Sequence, residues 1–404
     1  MSVRSFVIVG ASGIVGRQLV PALVDAGCRV VLIGRDTEKL KGIYPGADIG
    51  GYGDIGKTGG AGRTLLYLAT INNDQDADYE TFRAVNVDLA LATRDQAAAS
   101  GMDRLVYFSS THALDEANQS AYARSKRAAV ELLGQNAPID TRILYLPAVT
   151  GDALSGRLAA LNRLPGFVSR PLLSVLKALK PTVTIPDIVA ALLTLDDTRE
   201  DALVVSTDQE RNPFFVGLKW LMDFVSALAI LLLLWWLMIA VWVVIKAQSP
   251  GPGIFCQTRI GRHGKPFTCY KFRTMYTSAP NVATHQVPIS AVTPLGGFLR
   301  KSKIDELPQV FNILANQMSL VGPRPCLPSQ TELIAERQAR NVLSIKPGIT
   351  GLAQVNDIDM SDPVRLANWD ERYLKLRSLL FDIKLIIQTG LGRGRGDKVR
   401  LDQA

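Results

Sequence analysis

The chain has few residues of the kinds that form disulfides or bind transition metals. Its 404 residues include three histidines and four cysteines. The cysteines at positions 28, 256, 269 and 326 are scattered, and no two of them form a Cys-x-x-Cys pair. This composition is typical of a reducing compartment. It argues against a disulfide framework, a zinc site and a cluster of histidine ligands.

One long stretch lacks charge altogether. Residues 224–245 contain no charged residue, no glycine and no proline. A helix of this length reaches ~33 Å at about 1.5 Å per residue, which is roughly the hydrocarbon thickness of a bilayer. A buried core helix is the alternative interpretation. We favour a membrane helix, because helices of soluble proteins usually keep a polar stripe and this stretch has none.

The sequence has no signal-peptide pattern after Met1 and no second apolar run of about 18 residues that would return the chain across a bilayer. Both flanks of the apolar stretch are predicted, by the motifs described below, to use cytosolic nucleotides. We therefore expect a re-entrant helix over residues 217–248 that enters and leaves the membrane on one face. A re-entrant bend usually needs proline or glycine, so this expectation rests on topology alone.

Positive charge is concentrated in the second half of the chain. Residues 1–216 contain 22 Lys and Arg against 24 Asp and Glu, and residues 217–404 contain 23 against 13. The two parts therefore carry −2 and +10 of the total charge of +8. A basic domain beside an apolar segment fits an anionic membrane face and phosphate-bearing substrates. No nucleic-acid-binding motif accompanies this charge, so we expect no nucleic acid as a partner.

The first residues have the pattern of a dinucleotide-binding turn. A short apolar strand at residues 5–9 runs into a glycine-rich turn and a predicted helix at residues 17–26. Glycines in such a turn let the backbone approach a pyrophosphate at the helix N-terminus. The turn supplies five candidate cofactor-binding residues, Gly10, Ser12, Gly13, Ile14 and Gly16.

The end of the next strand bears on the choice of cofactor. The predicted strand at residues 29–33 ends in Gly34-Arg35-Asp36. An acidic residue there would bind a ribose 2′-hydroxyl, whereas Arg35 could pair with a 2′-phosphate. We therefore favour NADP(H) over NAD(H), with a solvated surface charge as the alternative role for Arg35.

Hydroxyl, phenol and ammonium groups follow a later strand. Predicted strands at residues 64–69 and 104–109 flank a predicted helix at 84–99, so strands and helices alternate as in a doubly wound parallel sheet. Ser110 and Thr111 come after the last of these strands, and Tyr122 and Lys126 lie on one face of the next helix. An ammonium group there can lower the pKa of the phenol and bind the cofactor ribose, and either hydroxyl can orient a substrate oxygen.

Four segments of the first half together resemble an extended short-chain dehydrogenase/reductase of the nucleotide-sugar epimerase, dehydratase and reductase type. They are GASGIVG, VNVDLALATRDQAAASGMDRLVYFSS, YARSK and TVTIPDIVAALLTL. The resemblance covers residues 3–207. It implies a Rossmann-like domain in which Thr111, Tyr122 and Lys126 move a proton while the nicotinamide moves a hydride at a sugar carbon. The dehydratase Asp-Glu pair is replaced by His112-Ala113, and the substrate-binding part is short. A 4-keto reductase, an epimerase and an inactive cofactor-bound scaffold remain open.

In the second half, an acidic pair lies among many cations. Asp305 and Glu306 are surrounded in sequence by Pro- and Gly-rich turns and by closely spaced Arg and Lys. A solvated helix N-terminus is the alternative setting for such a pair. Beside a membrane anchor and phosphate-binding cations, the pair fits one carboxylate as a phosphoryl nucleophile and the other as a metal ligand or base.

Four segments of the second half are similar to motifs of the bacterial sugar transferase family, the monotopic polyprenyl-phosphate phosphoglycosyl transferases. They are SPGPGIFCQTRIGRHGKPFTCYKFRTM, LRKSKIDELPQVFNIL, MSLVGPRP and KPGITGLAQV. The resemblance covers residues 217–390. The resemblance implies Mg²⁺, a UDP-sugar donor and a polyprenyl phosphate acceptor. It implies that Asp305 attacks the sugar-bearing phosphate, that UMP leaves, and that the lipid phosphate then takes the phospho-sugar. Asp305 and Glu306 would coordinate Mg²⁺. In the alternative role, Glu306 would act as a base that assists the reaction. The implied substrate- and phosphate-binding residues are Arg259, Lys271, Arg273, Arg300, Arg324 and Gln354.

The second half departs from the family pattern at three places, none of them in the acidic pair. The Ser-Pro break usual in the membrane helix is replaced by Trp235-Trp236-Leu237. An Asp-x-Arg contact is replaced by Ile289-Ser290-Ala291, and a Gly-Asp pair is replaced by Asn316-Gln317. We therefore expect activity with an unusual choice of donor. Residues 381–391 are predicted to form either an amphipathic helix on the membrane, with Asp382 and Lys384 on its polar side, or a core-packing helix.

The expected fold is an α/β chain with a Rossmann-like doubly wound parallel sheet, a re-entrant membrane helix and a small α+β transferase domain. The predicted segments are a dehydrogenase-like domain at 1–207, a linker at 208–216, the membrane helix at 217–248, the transferase domain at 249–390 and a basic disordered tail at 391–404. Both domains are expected on the cytosolic face of a bacterial inner membrane, in contact with its lipid. The sequence leaves a homodimer open.

The two halves together predict that the first domain finishes a nucleotide sugar and the second loads it onto a lipid carrier, which starts an O-antigen, capsule or exopolysaccharide. A 4-keto reductase would suit a UDP-4-keto-6-deoxy-HexNAc, giving a 6-deoxy-HexNAc such as QuiNAc. The alternative is an active transferase whose first domain is a non-catalytic nucleotide-binding or dimerisation module.

Overall fold

The structure is a computed structural model that describes residues 3–71, 77–151, 165–198, 200–279 and 291–394. The chain divides into two compact units. The first comprises Met1–Ser169 and Pro181–Thr207, and the second comprises Arg170–Lys180 and Asp208–Ala404. The sequence analysis placed Arg170–Lys180 with the first domain, whereas its contacts group it with the second unit. The predicted contact at Ile289-Ser290 and most of the predicted tail lie outside the described residues.

A parallel sheet forms the centre of the first unit. Its strands are β1 (Ser5–Val9), β2 (Arg29–Ile33), β3 (Asp48–Gly50), β4 (Arg63–Tyr67), β5 (Arg104–Ser110), β6 (Asp140–Leu146) and β9 (Ala202–Val204). They lie in the order β3-β2-β1-β4-β5-β6-β9, and every pair in that order is parallel. The strand order reverses beside β1, as in doubly wound nucleotide-binding folds. The predicted Rossmann-like sheet is confirmed.

Helices cover both faces of this sheet. They are α1 (Ile14–Asp25), α2 (Thr37–Ile43), α3 (Tyr79–Arg83), a π-helical turn (Ala84–Asp88), α4 (Leu89–Ala99), α5 (Ala121–Gly134) and α7 (Ile185–Leu193). Alternate side chains of β1 enter two separate cores, because neighbouring residues of a strand point to opposite faces. One core includes residues of α1 and α7, and the other includes residues of α4 and α5. A small parallel pair, β7 (Ala148–Thr150) and β8 (Thr182–Thr184), completes the unit.

Two glycines make the turn after β1 possible. Gly10 has a φ of +91°, and a Cβ atom there would lie 2.4 Å from the backbone nitrogen of Ala69. A Cβ atom on Gly16 would lie 2.6 Å from the carbonyl oxygen of Ala11. The turn therefore admits only glycine at both positions, and it brings α1 close to β1.

The second unit is built around a single long helix, α8 (Pro213–Gln248), of 36 residues. The other elements are the helix α6 (Gly166–Leu179), most of which belongs to this unit, the antiparallel pair β10 (Ile254–Ile260) and β11 (Pro266–Phe272), the helices α9 (Pro294–Ser302) and α10 (Val310–Leu314), the parallel pair β12 (Ser319–Val321) and β13 (Gly348–Thr350), and the helices α11 (Thr331–Ala339), α12 (Leu352–Val355), α13 (Pro363–Leu376) and α14 (Leu379–Gly390). A 3-10 turn at Ile304–Gln309 joins α9 to α10. The expected small α+β domain is confirmed.

Helix α8 buries one stripe and exposes the rest of its apolar surface. The buried residues Phe215, Asp223, Ala227, Val241 and Ile245 recur at helical spacing. Large side chains elsewhere on the helix are exposed, among them Leu233 at 70%. Within the described part of the chain, α8 is the one helix long and apolar enough to cross a membrane.

The structure contains no non-helical break in α8. Every residue from Pro213 to Gln248 is helical, including Trp235-Trp236-Leu237. Asn212 begins the helix by accepting hydrogen bonds from the backbone nitrogens of Phe214 and Phe215. The predicted re-entrant path would thus require a bend within an unbroken helix, and it stays a prediction.

Helix α14 has an exposed apolar side and a side packed in the core, and its predicted contact with the membrane stays a prediction. Its residues Leu380, Ile383 and Ile387 are exposed, whereas Leu385 is fully buried. The sequence analysis placed Asp382 on a polar side, and this is wrong. Asp382 is fully buried, because Lys219 of α8 lies 2.7 Å from its Oδ2 and the hydroxyl of Tyr373 donates to its Oδ1.

We predict that Gly10→Ala lowers the free energy of unfolding of the first unit by about 1–3 kcal/mol, because alanine would be strained at this positive φ and would contact the backbone of Ala69. Gly42→Ala is the matched control, since a Cβ atom on this helical glycine meets nothing within 4 Å. Thermal unfolding of the two purified variants tests this. An equal midpoint for both variants would contradict the prediction.

Candidate functional site

The acidic pair lies on the 3-10 turn between α9 and α10. Lys303 ends α9 with a left-handed backbone, at a φ of +59°, and this redirects the chain into the turn. Asp305 and Glu306 follow, and each is 9% exposed. Carboxylates buried to this degree need charge partners, because burial penalises the ionised form.

Glu306 has two such partners from different elements. The ammonium group of Lys271, on β11, lies 2.7 Å from its Oε1. The guanidinium of Arg324, in the turn after β12, lies 3.1 Å from the same oxygen. Burial alone would raise the pKa of Glu306, but the two cations outweigh it and lower this pKa to about 2. Glu306 is therefore ionised at neutral pH.

Asp305 is shifted in the opposite direction. Burial and the neighbouring charge of Glu306 raise the pKa of Asp305 to about 6, although Lys271, Arg300 and Arg324 oppose this shift. Two adjacent carboxylates with pKa values pushed apart are typical of a site where one group reacts and the other is a fixed charge. Asp305 is the candidate reacting group because it changes protonation near neutral pH.

These residues face a large cavity in the second unit, with a volume of about 1130 Å³. Its polar lining includes all of the predicted substrate- and phosphate-binding residues, Arg259, Lys271, Arg273, Arg300, Arg324 and Gln354. An apolar part of the lining includes Ile230 of α8, Leu320 of β12, Ile349 of β13 and Ile386 of α14. The cavity can therefore accept a ligand with an anionic end and an apolar end.

Some of the predicted binding residues already have protein partners. The two terminal nitrogens of Arg273 donate to the carbonyl oxygens of Ser249 and Pro250, at 2.8 and 2.6 Å. Arg259 donates to Gln257 and to the carbonyl oxygen of Pro325. Arg273 thus holds the turn that follows α8, a role that its sequence context did not indicate.

A buried ion pair supports the turn that carries Arg324. Arg337 of α11 is 2% exposed and donates through Nη1 to the carbonyl oxygen of Arg324 at 2.9 Å. Its other nitrogens donate to Asp370 of α13, which is also 2% exposed, at 2.7 and 2.9 Å. The sequence analysis missed both residues, since an Arg and an Asp on separate helices carry no local signal of burial.

The acidic pair fits a magnesium ion only with help from a substrate. Within the residues that the structure describes, no group of three or more His, Cys, Asp and Glu could hold a metal. Asp305 and Glu306 supply hard carboxylate oxygens, and Mg²⁺ commonly binds one or two carboxylates together with substrate phosphates. The pair therefore suits Mg²⁺ that arrives with a diphosphate.

In the first unit, the predicted Tyr and Lys lie on α5, but they are not coupled as expected. Burial raises the pKa of Tyr122, and its hydrogen bond with Ser110 opposes the shift. Lys126 is buried and donates to the Tyr107 hydroxyl at 3.2 Å and to the Phe108 carbonyl oxygen at 3.1 Å. Burial lowers the pKa of Lys126 to about 7. The expected lowering of the phenol pKa by the ammonium group is therefore absent from this geometry.

A buried polar network behind Lys126 was also missed. Asn86 lies in the π-helical turn, is fully buried, and donates to Ser125 at 3.0 Å. Its carbonyl oxygen accepts from Tyr107 at 2.9 Å, and Tyr107 is the residue that binds Lys126. The π-helical turn frees this carbonyl for a side chain, and such turns are frequent at functional sites.

The glycine-rich turn fits a dinucleotide phosphate. Gly13 begins α1, and no side chain caps this helix N-terminus. The first backbone N–H groups of α1 are thus available for an anion, next to half-buried Ser12 and exposed Ile14. Asp36 caps α2 by accepting from the backbone nitrogen of Lys39 at 2.9 Å, and Arg35 lies close enough to Tyr52 to oppose the upward shift of its pKa.

Comparison with known proteins assigns both units. A family model described as "Bacterial sugar transferase" matches residues 215–392, and one described as "NAD dependent epimerase/dehydratase family" matches residues 6–193. The chain is 37% identical over 172 residues to the "Uncharacterized sugar transferase EpsL" of Bacillus subtilis, and the match covers 43% of this chain and 85% of that protein. The chain belongs to the bacterial sugar transferase family, and residues 6–193 are similar to the NAD dependent epimerase/dehydratase family.

Longer relatives share the transferase match. The chain is 38% identical over 194 residues to a UDP-glucose:undecaprenyl-phosphate glucose-1-phosphate transferase of Xanthomonas campestris pv. campestris, which covers 45% of this chain and 40% of that protein. It is 37% identical over 192 residues to an undecaprenyl-phosphate galactose phosphotransferase of Salmonella typhimurium, which covers 43% and 39%. The chain thus spans about two fifths of the length of these curated relatives.

Among solved structures, a short-chain dehydrogenase/reductase superfamily protein from Agrobacterium tumefaciens with bound NAD is 18% identical, with a TM-score of 0.39. It covers 51% of this chain and 78% of that chain. A likeness at this level supports no argument about function.

We predict that Arg337→Met alone lowers the free energy of unfolding of the second unit by about 3–5 kcal/mol, because it leaves Asp370 as an unpaired buried charge. The double variant with Asp370→Leu is expected to recover much of this loss, because an apolar pair can replace a buried ion pair. Thermal unfolding of wild type, single and double variants tests both statements. A double variant no more stable than the single one would contradict the prediction.

Proposed function

We propose that the second unit transfers a sugar 1-phosphate from a UDP-sugar to polyprenyl phosphate and releases UMP. The observation that carries this proposal is the pair Asp305 and Glu306, which have opposite pKa shifts and share a cavity with several cations. The matches to undecaprenyl-phosphate sugar transferases support the same class of reaction.

In the first step, a carboxylate oxygen of Asp305 attacks the sugar-bearing phosphorus of the donor. The bond to the bridging oxygen breaks, UMP leaves with that oxygen, and a covalent aspartyl phospho-sugar forms. Lys271 and Arg324 lie on the Glu306 side of this carboxylate, where they can neutralise charge on the diphosphate. Arg300 supplies a further cation near Asp305.

In the second step, a phosphate oxygen of the lipid acceptor attacks the same phosphorus. The bond to Asp305 breaks, which restores the carboxylate and yields a polyprenyl diphosphate sugar. The apolar part of the cavity lining, with Ile230 and Ile386 from α8 and α14, suits the first isoprene units of such an acceptor. Asp305 and Glu306 would hold Mg²⁺, which when bound supplies charge neutralisation for the diphosphate.

The packing of α8 favours attachment to one face of the membrane. Its first turn packs through Phe215 against Leu379, and its last turns pack through Val241 and Ile245 against Phe272 and Leu299. Because both ends touch the same domain, a straight crossing would draw that charged domain into the hydrocarbon, at a high energetic cost. We therefore place both domains on the cytosolic face of a bacterial cytoplasmic membrane, where UDP-sugars are made.

For the first unit we propose an NAD(P)H-dependent 4-keto reductase acting on a UDP-4-keto-6-deoxy-HexNAc, which gives a 6-deoxy-HexNAc such as UDP-QuiNAc. Tyr122, which lies next to Ser110, would donate the proton to the carbonyl oxygen while the bound nicotinamide supplies the hydride. His112-Ala113 replaces the acids of a dehydratase, so elimination of water has no catalyst here. An epimerase and a non-catalytic nucleotide-binding module are the alternatives.

We predict that Asp305→Ala abolishes UMP release, and that release by the wild type rises with pH through about pH 6. The attacking carboxylate must be ionised, and burial raises its pKa to about 6, so activity is lost as the pH falls through that value. UMP is measured with Mg²⁺ and undecaprenyl phosphate over a panel of UDP-sugars. Release that does not depend on Asp305 would contradict the proposed nucleophile.

We predict that Tyr122→Phe removes NADPH-dependent glycolipid formation from the 4-keto donor but leaves formation from a finished UDP-sugar unchanged. The substitution removes the proton donor of the first unit and leaves the cavity of the second unit intact. Radiolabelled glycolipid is measured from both donors, with and without NADPH. If Tyr122→Phe has no effect with the keto donor, the first unit is a binding module instead.

A further inference from the structure

Helix α8 is connected to the acidic pair at three places along its length. Its first half contacts β12, its middle contacts α10, and the turn after its last residue contacts the end of β11. Each of these elements leads directly to a residue of the site. β12 leads to Arg324, α10 follows the turn with Asp305 and Glu306, and β11 contains Lys271.

The connection to β12 is made by Asp223. This residue is 3% exposed, and its Oδ1 accepts from the hydroxyl of Ser319 and from the backbone nitrogen of Leu320, both at 3.0 Å. Ser319 and Leu320 are the first two residues of β12. An aspartate within an otherwise apolar helix is costly to bury, so these hydrogen bonds fix α8 against this strand.

The same strand is fixed at its other end, next to the turn with Arg324. The carbonyl oxygen of Val321 accepts from Lys219 of α8 at 3.3 Å and from the hydroxyl of Tyr373 at 3.0 Å. The next residue, Gly322, donates to the carbonyl oxygen of Thr350 at 2.9 Å. Since Arg324 follows two residues later, its reach toward Glu306 depends on where α8 holds β12.

The connection to β11 is made by Arg273. It is 6% exposed, and besides its bonds to the backbone of Ser249 and Pro250 it donates to the Ser249 hydroxyl at 2.8 Å. Its backbone nitrogen donates to the carbonyl oxygen of Gly253 at 3.0 Å. Lys271 lies two residues before Arg273, so the turn that ends α8 and the cation on Glu306 belong to one hydrogen-bonded assembly.

The middle of α8 packs on the element that follows the acidic pair. Ala227 is fully buried in a cluster with Val310 and Ile313 of α10 and with Cys269 of β11. A residue this small lets α10 approach α8 closely. The helix therefore contacts the segment with the two carboxylates as well as both segments with their cations.

From these contacts we infer that Asp223 and Arg273 are positioning residues, through which α8 sets Arg324 and Lys271 on Glu306. The membrane helix would then be part of the catalytic apparatus as well as an anchor. This inference rests on the proposed transferase function for its kinetic consequences. Its structural part, the control of the β12 turn by α8, can be tested without turnover.

Rescue by a conservative variant and local hydrogen exchange distinguish positioning from simple destabilisation. Arg324, after β12, and Lys271, on β11, both lie on Oε1 of Glu306. If Arg324 moves away, kcat falls in protein that is still fully folded, because a cation of the site is misplaced. A loss of stability alone lowers the rate only by the fraction of protein that is unfolded.

The first experiment compares Asp223→Ala with Asp223→Asn in the full-length protein. Asp223→Ala is expected to lower kcat for UMP release at least roughly tenfold in fully folded protein. Asp223→Asn keeps an oxygen for Ser319 and Leu320, and it is expected to restore most of the rate. Val342→Ala, a buried residue that does not line the cavity, controls for lost stability.

The second measurement is hydrogen exchange followed by mass spectrometry on peptides that span residues 319–324. Asp223→Ala is expected to speed exchange there, whereas Leu233→Ala on the exposed side of α8 is not. Unchanged exchange, or an unchanged kcat in folded Asp223→Ala, would overturn the inference. If the wild type releases no UMP, the proposed function fails, and the exchange result alone decides whether α8 controls the turn.

For Arg273, the test is whether its loss changes kcat or KM. A positioning role predicts that Arg273→Lys lowers kcat and leaves the KM for the UDP-sugar nearly unchanged, because lysine cannot bind both carbonyl groups at once. Direct binding of a substrate phosphate predicts a higher KM for the UDP-sugar and an unchanged kcat. The second result would overturn the inference for this residue.

Discussion

The second unit depends on one constraint, the ionised state of a nearly buried Glu306. This carboxylate is stable only where two cations reach the same oxygen, and removing either would leave charge without compensation. Lys271 lies on β11 and Arg324 lies in the turn after β12, 53 residues later in the sequence (324 − 271). The site therefore exists only once the unit has folded around it. The same arrangement makes Asp305 difficult to ionise, and so gives a carboxylate that is weakly solvated and ready to react.

The apolar surface of α8 requires hydrocarbon, whereas the charged cavity requires polar partners. Different sides of α8 face these two environments. Its exposed residues suit hydrocarbon, while Asp223 and Lys219 on or near the buried stripe form hydrogen bonds with polar groups of the domain. Ile230 brings the same helix to the wall of the cavity. In the proposed reaction, the lipid acceptor and the nucleotide-sugar donor would therefore meet at Asp305 while each stays in its preferred solvent.

The sequence predicted the features that depend on local pattern. The apolar strand at Ser5–Val9, the glycine turn with Gly10 and the long apolar run all appear where expected. The relations that arise from tertiary packing were not predictable. Arg273 looked like a phosphate ligand because its neighbours are basic, yet its partners are backbone carbonyl groups of the turn after α8. Asp382 looked like a solvated helix residue, and a lysine from a distant helix buries it.

The division of the chain has a consequence for how the two domains can be exchanged. The segment Arg170–Lys180 lies inside the first domain's sequence but belongs to the second unit, where Gln209 and Asn212 bind its backbone and Ala178 packs with Phe215. The two units are thus not simply joined end to end in sequence, because a segment of the second unit interrupts the first. Recombination at the linker would remove Arg170–Lys180, a structural part of the transferase, together with the first domain. The two domains are therefore constrained to be inherited together.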